Sequence, residues 1–183
     1  MIDPTYEVAH TQIRWRIGHH LFFSWVQSLM LTFERLQQAI DQNDFTAAER
    51  ELNRATQILW GISVTFKLTG DFSATMYENH IRPSMVDFAD GFSGMWAYDH
   101  DFMIKNVMKR LKKTFDHPPA ELEPAMRKFR QAFAIMYDSH KFVCEQFEAD
   151  APSLLMGEKA QKSAIEIIDS FKQKRLMMLG VPR

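Results

Sequence analysis

Cysteine occurs once in the 183 residues, at Cys144. That excludes an intramolecular disulfide and points to a reducing, cytoplasmic setting. Glycine and proline are sparse, seven of each, and their clustering leaves long stretches without a local breaker. No apolar run approaches the roughly 20 residues that cross a bilayer, so no membrane partner is expected. The start of the chain lacks a basic stretch followed by an apolar one, so no export leader is expected either. Neither sign of charge dominates, with 22 Lys and Arg against 23 Asp and Glu. Nucleic-acid binders show a basic excess or a basic stripe, and neither is present. The short cluster Lys109, Arg110, Lys112 and Lys113 suits the last turn of a helix, where cations complement the dipole. Also missing are the Gly-rich phosphate loops, the Gly-x-Ser-x-Gly elbow, His-Glu-x-x-His and the Cys-x-x-Cys-His of standard covalent haem attachment. Glu7 and His10 match one Glu-x-x-His, but a di-iron bundle needs two copies and two further glutamates.

Aromatic and sulfur side chains are abundant: 15 Phe, 4 Trp, 4 Tyr and 12 Met. They fill helical cores, and they also line pockets for flat ligands. No segment alternates like a strand, so the fold class is all-α: a single-domain helical bundle of about five to six helices over residues 1–183. The first helix should span about residues 5–40 and the second about 46–68. A short third covers about 73–79 and breaks before Pro83, because proline disfavours helix at the preceding residue. Residues 84–98, with Gly91 and Gly94, read as mixed and loop-like. Further helices are expected over about 99–115, 121–149 and 159–179.

Two of these helices carry a stripe whose lone polar member is a histidine. On the first helix Trp15, His19, Phe22, Val26, Leu29, Phe33, Leu36 and Ile40 recur at steps of three and four, so they share one buried face. On the fifth the same pattern runs through Phe129, Phe133, Met136, His140, Val143 and Phe147. A buried imidazole is either hydrogen-bonded or offers a nitrogen to a metal. Core histidine and ligand are both open readings for one such residue; two of them on aromatic stripes suit a porphyrin held between two helix faces. His20 is turned about 100° from His19, while His10, His80, His100 and His117 fall near termini or loops, where exposure is expected.

The segment Arg16–Trp25, with His19 followed six residues later by Trp25, resembles the first-helix motif of tryptophan 2,3-dioxygenases. Tyr77–Ser84 and the following Gly91, Phe92, Ser93 and Gly94 resemble that family's arginine-containing helix end and the loop over the haem. Phe129–His140 is similar, without a gap, to the helix bearing the proximal histidine. The resemblance implies haem b as cofactor, with His140 on the iron and His19 distal and catalytic. It implies Trp25, Gly91, Phe92, Ser93, Gly94, Phe133, Met136 and Val143 around the porphyrin, and a substrate site of Trp15, Phe22, Glu78, Ile81 and Arg82. The chain is shorter than the family. Glu78 stands where the family keeps its carboxylate-gripping arginine, with Arg82 one turn away as a substitute. Asp90 replaces a serine, and Ala149–Ser153 replaces the Gly- and Thr-rich loop.

The expected function is therefore a haem-dependent, dioxygenase-like enzyme that inserts oxygen from O2 into an indole or another aromatic compound, working as a homo-oligomer (dimer or tetramer). Three alternatives stand beside it. One is a haem or gas carrier without turnover; another is a non-haem metal held by His10, His19 or His20, and His140; the last is a helical interaction protein. Cys144, one turn beyond His140, reads as a core thiol.

Overall fold

The structure, a computed structural model, describes residues 4–88, 98–147 and 163–181. Helix α1 (Pro4–Asp41) is followed by α2 (Phe45–Thr69), α3 (Ala74–Met76), a π-helical turn (Tyr77–Ile81) and α4 (Arg82–Phe88). Then come α5 (Tyr98–Phe102), a second π segment (Met103–Met108), α6 (Lys112–Asp116), a 3-10 turn (Ala120–Leu122), α7 (Glu123–Phe147) and α8 (Ala164–Met178). No strand occurs among the described residues, so the all-α expectation is met. None of the described helices is long and apolar enough to cross a membrane.

Helices α1 and α2 form an antiparallel pair around a tight connection. Asn43 takes a positive φ of 55° there, which asparagine tolerates, and the Asp44 carboxylate caps α2 by accepting from the Ala47 N–H at 2.9 Å. Helix α7 packs on α2 with their C-terminal ends together, since Gly70 abuts Val143. Helix α8 begins with a capping box formed by Ser163 and Glu166 and lies along α7. Arg130 ties this corner together: its guanidinium donates to the carbonyls of Leu179 and Phe115 at 2.8 and 2.7 Å.

The bundle is solid at one end and hollow at the other. At the solid end Phe33, Phe115 and Phe129 meet at ring-centroid distances of 5.8 to 6.3 Å, largely edge to face, and none is more than 1% exposed. At the other end the N-terminal half of α1 faces the C-terminal halves of α2 and α7. Here α1 passes so close to α2 that a Cβ on Gly18 would lie 1.9 Å from Thr69 Oγ1.

Two expected boundaries move. The helix does not break before Pro83 but runs through it. The Arg82 N–H reaches back to the Tyr77 carbonyl in a π turn, which widens the helix just where the proline ring would otherwise strike the preceding turn. The expected helix over 99–115 is likewise split by a π segment and a turn at Leu111.

Gly18→Ala is expected to lower the unfolding free energy by about 1–3 kcal/mol, because Thr69 is buried and cannot yield. Ser24→Ala, on the exposed side of the same helix, should stay within about 0.5 kcal/mol of the parent. Chemical denaturation of both variants checks the contrast.

Candidate functional site

The hollow end encloses an apolar cavity, of which about 200 Å³ is accessible to the centre of a water molecule. Its wall carries no Asp, Glu, Lys or Arg among the described residues, and its polar features are chiefly three imidazoles, from His19, His100 and His140. Three different elements supply them: α1, α5 and α7.

His19 projects from the α1 stripe against Trp15, ring centroids 4.5 Å apart. Its Nδ1 lies 2.8 Å from the Trp15 carbonyl oxygen. A carbonyl only accepts, so Nδ1 carries the proton and Nε2 holds the lone pair. Burial lowers the His19 pKa, the Trp15 bond opposes that, and charge on His20 adds to it. The His140 ring stacks on Phe66 at 4.6 Å, with the planes 15° apart. It borders the cavity rather than bulk water, so it is half-buried by contact yet deep within the bundle. That position pushes its pKa down to about 4, first by desolvation and then by repulsion from His19 and His100. Both imidazoles are therefore neutral at neutral pH, the form that coordinates a metal or accepts a proton.

Of the residues expected at the site, Trp15, His19, Phe22, Phe133, Met136, His140 and Val143 line this one cavity. Four others do not. Trp25 lies in the seam between α1 and α2, where its Nε1–H donates to Thr65 Oγ1 at 3.1 Å and its ring meets Gly61. Ile81 is wholly buried in a small cluster with Tyr77 and Phe147. Glu78 is exposed, and Arg82 is half-buried outside the cavity wall. Gly91, Phe92, Ser93 and Gly94 lie outside the described residues.

Phe66 and His100 are among the wall residues that sequence reasoning missed. Phe66 gave no isolated signal. His100 did: His100, Ile104, Val107, Leu111 and Phe115 recur at steps of four and three, all of them buried, with a histidine as the lone polar member. Assigning position 100 to a loop edge hid that pattern; in the structure His100 is 7% exposed and stands 6.1 Å from Phe22, ring to ring. Cys144, a turn beyond His140, also borders the cavity.

A bare-metal centre finds less support. His10 and His20 are exposed, with His10 on a separate surface groove. Among the described residues no three His, Cys, Asp or Glu side chains gather closely enough to hold an ion. Neutral imidazoles facing one another across an apolar, aromatic space do fit an iron porphyrin, which needs one axial nitrogen and apolar walls.

Stability should fall on acidification. His140 in the unfolded chain takes up a proton near pH 6.5, whereas in the folded chain it resists until about pH 4. The unfolded state thus binds more protons in that window, so stability is full above about pH 6.5 and declines toward pH 4. Thermal unfolding of porphyrin-free protein across this range should show that decline, and His140→Gln should flatten it.

Comparison with known proteins bears on the same cavity. The sequence profile of the family described as SfmD 3-methyl-L-tyrosine peroxygenase matches residues 2–128, a stretch that includes His19 and His100 and ends before His140. A protein from Streptomyces lavendulae named 3-methyl-L-tyrosine peroxygenase is 30% identical over 169 residues, which cover 91% of this chain and 46% of that protein. The chain thus spans about half the length of that relative. No solved structure matches it. The motifs led us to expect a relative of the tryptophan 2,3-dioxygenases; the family now shown is named for a peroxygenase. The chain belongs to the SfmD 3-methyl-L-tyrosine peroxygenase family.

Proposed function

We propose that the chain is a haem-dependent oxygenase that acts on an aromatic amino acid inside this cavity. The observation that carries the reading is the convergence of three imidazoles, two of them held neutral, on one apolar space. Family membership supports it, because the relative's name specifies an aromatic amino acid and oxygen transfer from a peroxide. An aromatic amino acid therefore replaces indole as the favoured substrate, and a peroxide replaces O2 as the favoured oxygen donor.

In this reading His140 holds the iron. Phe66 stacks on its ring and fixes the ring plane, while desolvation keeps its nitrogens unprotonated. When bound, the iron porphyrin supplies the oxygen-transfer chemistry; the protein supplies binding, orientation and electrostatics. His19 is the distal base. With Nδ1 committed to the Trp15 carbonyl, Nε2 is the atom that takes a proton from a peroxide or from the substrate's phenol. Trp15 and Phe22 offer ring faces against which an aromatic substrate packs. The walls exclude water, so both the substrate and the reacting oxygen sit in a low dielectric. His100 shares the cavity and stands beside Phe22, a further imidazole in the wall of the space that the porphyrin or the substrate would occupy.

The whole chain is read as one haem-binding unit, cytoplasmic and self-associating. Tyr6, Ile13 and Ile17 on α1, with Trp60, Val64 and Leu68 on α2, remain between 44% and 66% exposed, and such apolar surface suits a partner copy.

Protein produced with a haem precursor should show one Soret band per chain, and His140→Ala should lose or shift it. A colourless protein that takes up no added haemin sinks the reading. Intact mass under denaturing conditions settles how the porphyrin is held: haem b is released and leaves the polypeptide mass unchanged, whereas an added porphyrin mass abolished by Cys144→Ala replaces haem b with a covalently held one. Oxygen transfer to 3-methyl-L-tyrosine with hydrogen peroxide is expected of the loaded protein, and His19→Ala should cut the rate by about a hundredfold or more.

A further inference from the structure

Three cations stand along the seam between α7 and α8, and two are neutralised there. Lys141 pairs with Asp169 at 2.7 Å, and Lys172 pairs with Asp138. Arg175, three residues beyond Lys172, forms no such pair among the described residues. Its guanidinium carbon lies 5.7 Å from the centroid of the Phe171 ring, and its Nε is shut off from solvent with no hydrogen-bond acceptor. Arg175 also interacts with the Tyr137 phenol through its charge and a hydrogen bond. Both rings, Tyr137 and Phe171, belong to the cavity wall.

The phenol does not compensate this charge. Tyr137 is 5% exposed, and burial raises its pKa despite Arg175, so it stays neutral. The guanidinium is therefore an uncompensated cation one layer behind a wall that carries no acidic side chain among the described residues. A cation partly stripped of water costs free energy until an anion meets it, and a guanidinium meets a carboxylate through two parallel N–H donors.

We infer that Arg175, with Tyr137 beside it, is the carboxylate clamp of this cavity, taking the carboxylate of an amino-acid substrate or of a porphyrin propionate bound there. The inference rests on the reading of the cavity as a site for haem and an aromatic amino acid. It assigns to α8 the role that the dioxygenase resemblance had led us to seek at Glu78 and Arg82; Arg175 is not itself in the wall but contacts two rings that are, Tyr137 and Phe171.

Two ligand pairs test it, each differing only in carboxylates: 3-methyl-L-tyrosine against 3-methyltyramine, and haemin against haemin dimethyl ester. The amino-acid pair is titrated calorimetrically into both porphyrin-free and haemin-loaded protein; the porphyrin pair is followed by the Soret band. Arg175→Gln should weaken one carboxylate-bearing ligand by about tenfold or more while leaving its counterpart within about twofold. Loss confined to 3-methyl-L-tyrosine assigns the clamp to the substrate, and loss confined to haemin assigns it to a propionate. Equal loss within each pair, or no loss in either, overturns the inference. Should the glutamine variant fail to fold, Arg175→Lys carries the same comparison, because it keeps the charge but not the fork and should lose several-fold selectively. A chain that takes up no porphyrin overturns the haem reading alone, since the porphyrin-free titrations still decide whether Arg175 discriminates a carboxylate.

Discussion

Everything at the hollow end depends on how closely α1 can approach α2. At Gly18 there is room for a hydrogen and nothing more, because Thr69 fills the space a side chain would need. Two turns along the helix, Gly61 admits the Trp25 ring, and Thr65 accepts its N–H while donating to the Gly61 carbonyl at 2.9 Å. These two close passes hold α1 in place on α2. With α1 fixed, His19 and Phe22 are carried over α2 toward α7, and His140 is met across the gap. The aromatic packing at the solid end then keeps the gap from closing by sliding, since Phe33, Phe115 and Phe129 already fill their volume.

The chemistry of the cavity follows from its low dielectric. Charge is costly there, so the histidines give up their protons and present lone pairs instead. The Trp15 carbonyl decides which nitrogen of His19 does so, as a backbone acceptor commonly does for a metal-site or catalytic histidine. The same scarcity of water that neutralises the imidazoles makes a permanently charged guanidinium behind Tyr137 and Phe171 consequential, because arginine cannot escape by losing its proton.

The chain spans about half of its Streptomyces lavendulae relative, yet α1, α2, the segment from α5 through the second π turn, α7 and α8 together wall the cavity. Among the described residues α1 packs against α5 and α2, and α2 in turn packs against α7, so α2 joins the elements that bear the imidazoles. Helices α1 and α2 leave apolar side chains exposed on their outer faces.

Much of this architecture was legible in the sequence. The all-α class, the bounds of α1, α2 and α7, and the two stripes that carry His19 and His140 follow from apolar periodicity, because a helix that buries one face must place its apolar residues three and four apart. Periodicity also contained His100, but its position at the very start of the expected helix, beside a loop, masked its place in the stripe. Motif spacing misled at Trp25: six residues from His19 corresponds to about 240° around a helix with about 100° per residue, which turns the ring into the α1–α2 seam. It misled also at Glu78, Ile81 and Arg82, which lie in or beside the π turn that precedes Pro83. Only the tertiary structure decided that three histidines from separate helices share one cavity, and that Arg175, 75 residues beyond His100, backs its wall. The sequence by itself determines which side of each helix is apolar; which of those sides face one another depends on the close contacts that let the helices meet, and a linear pattern does not contain them.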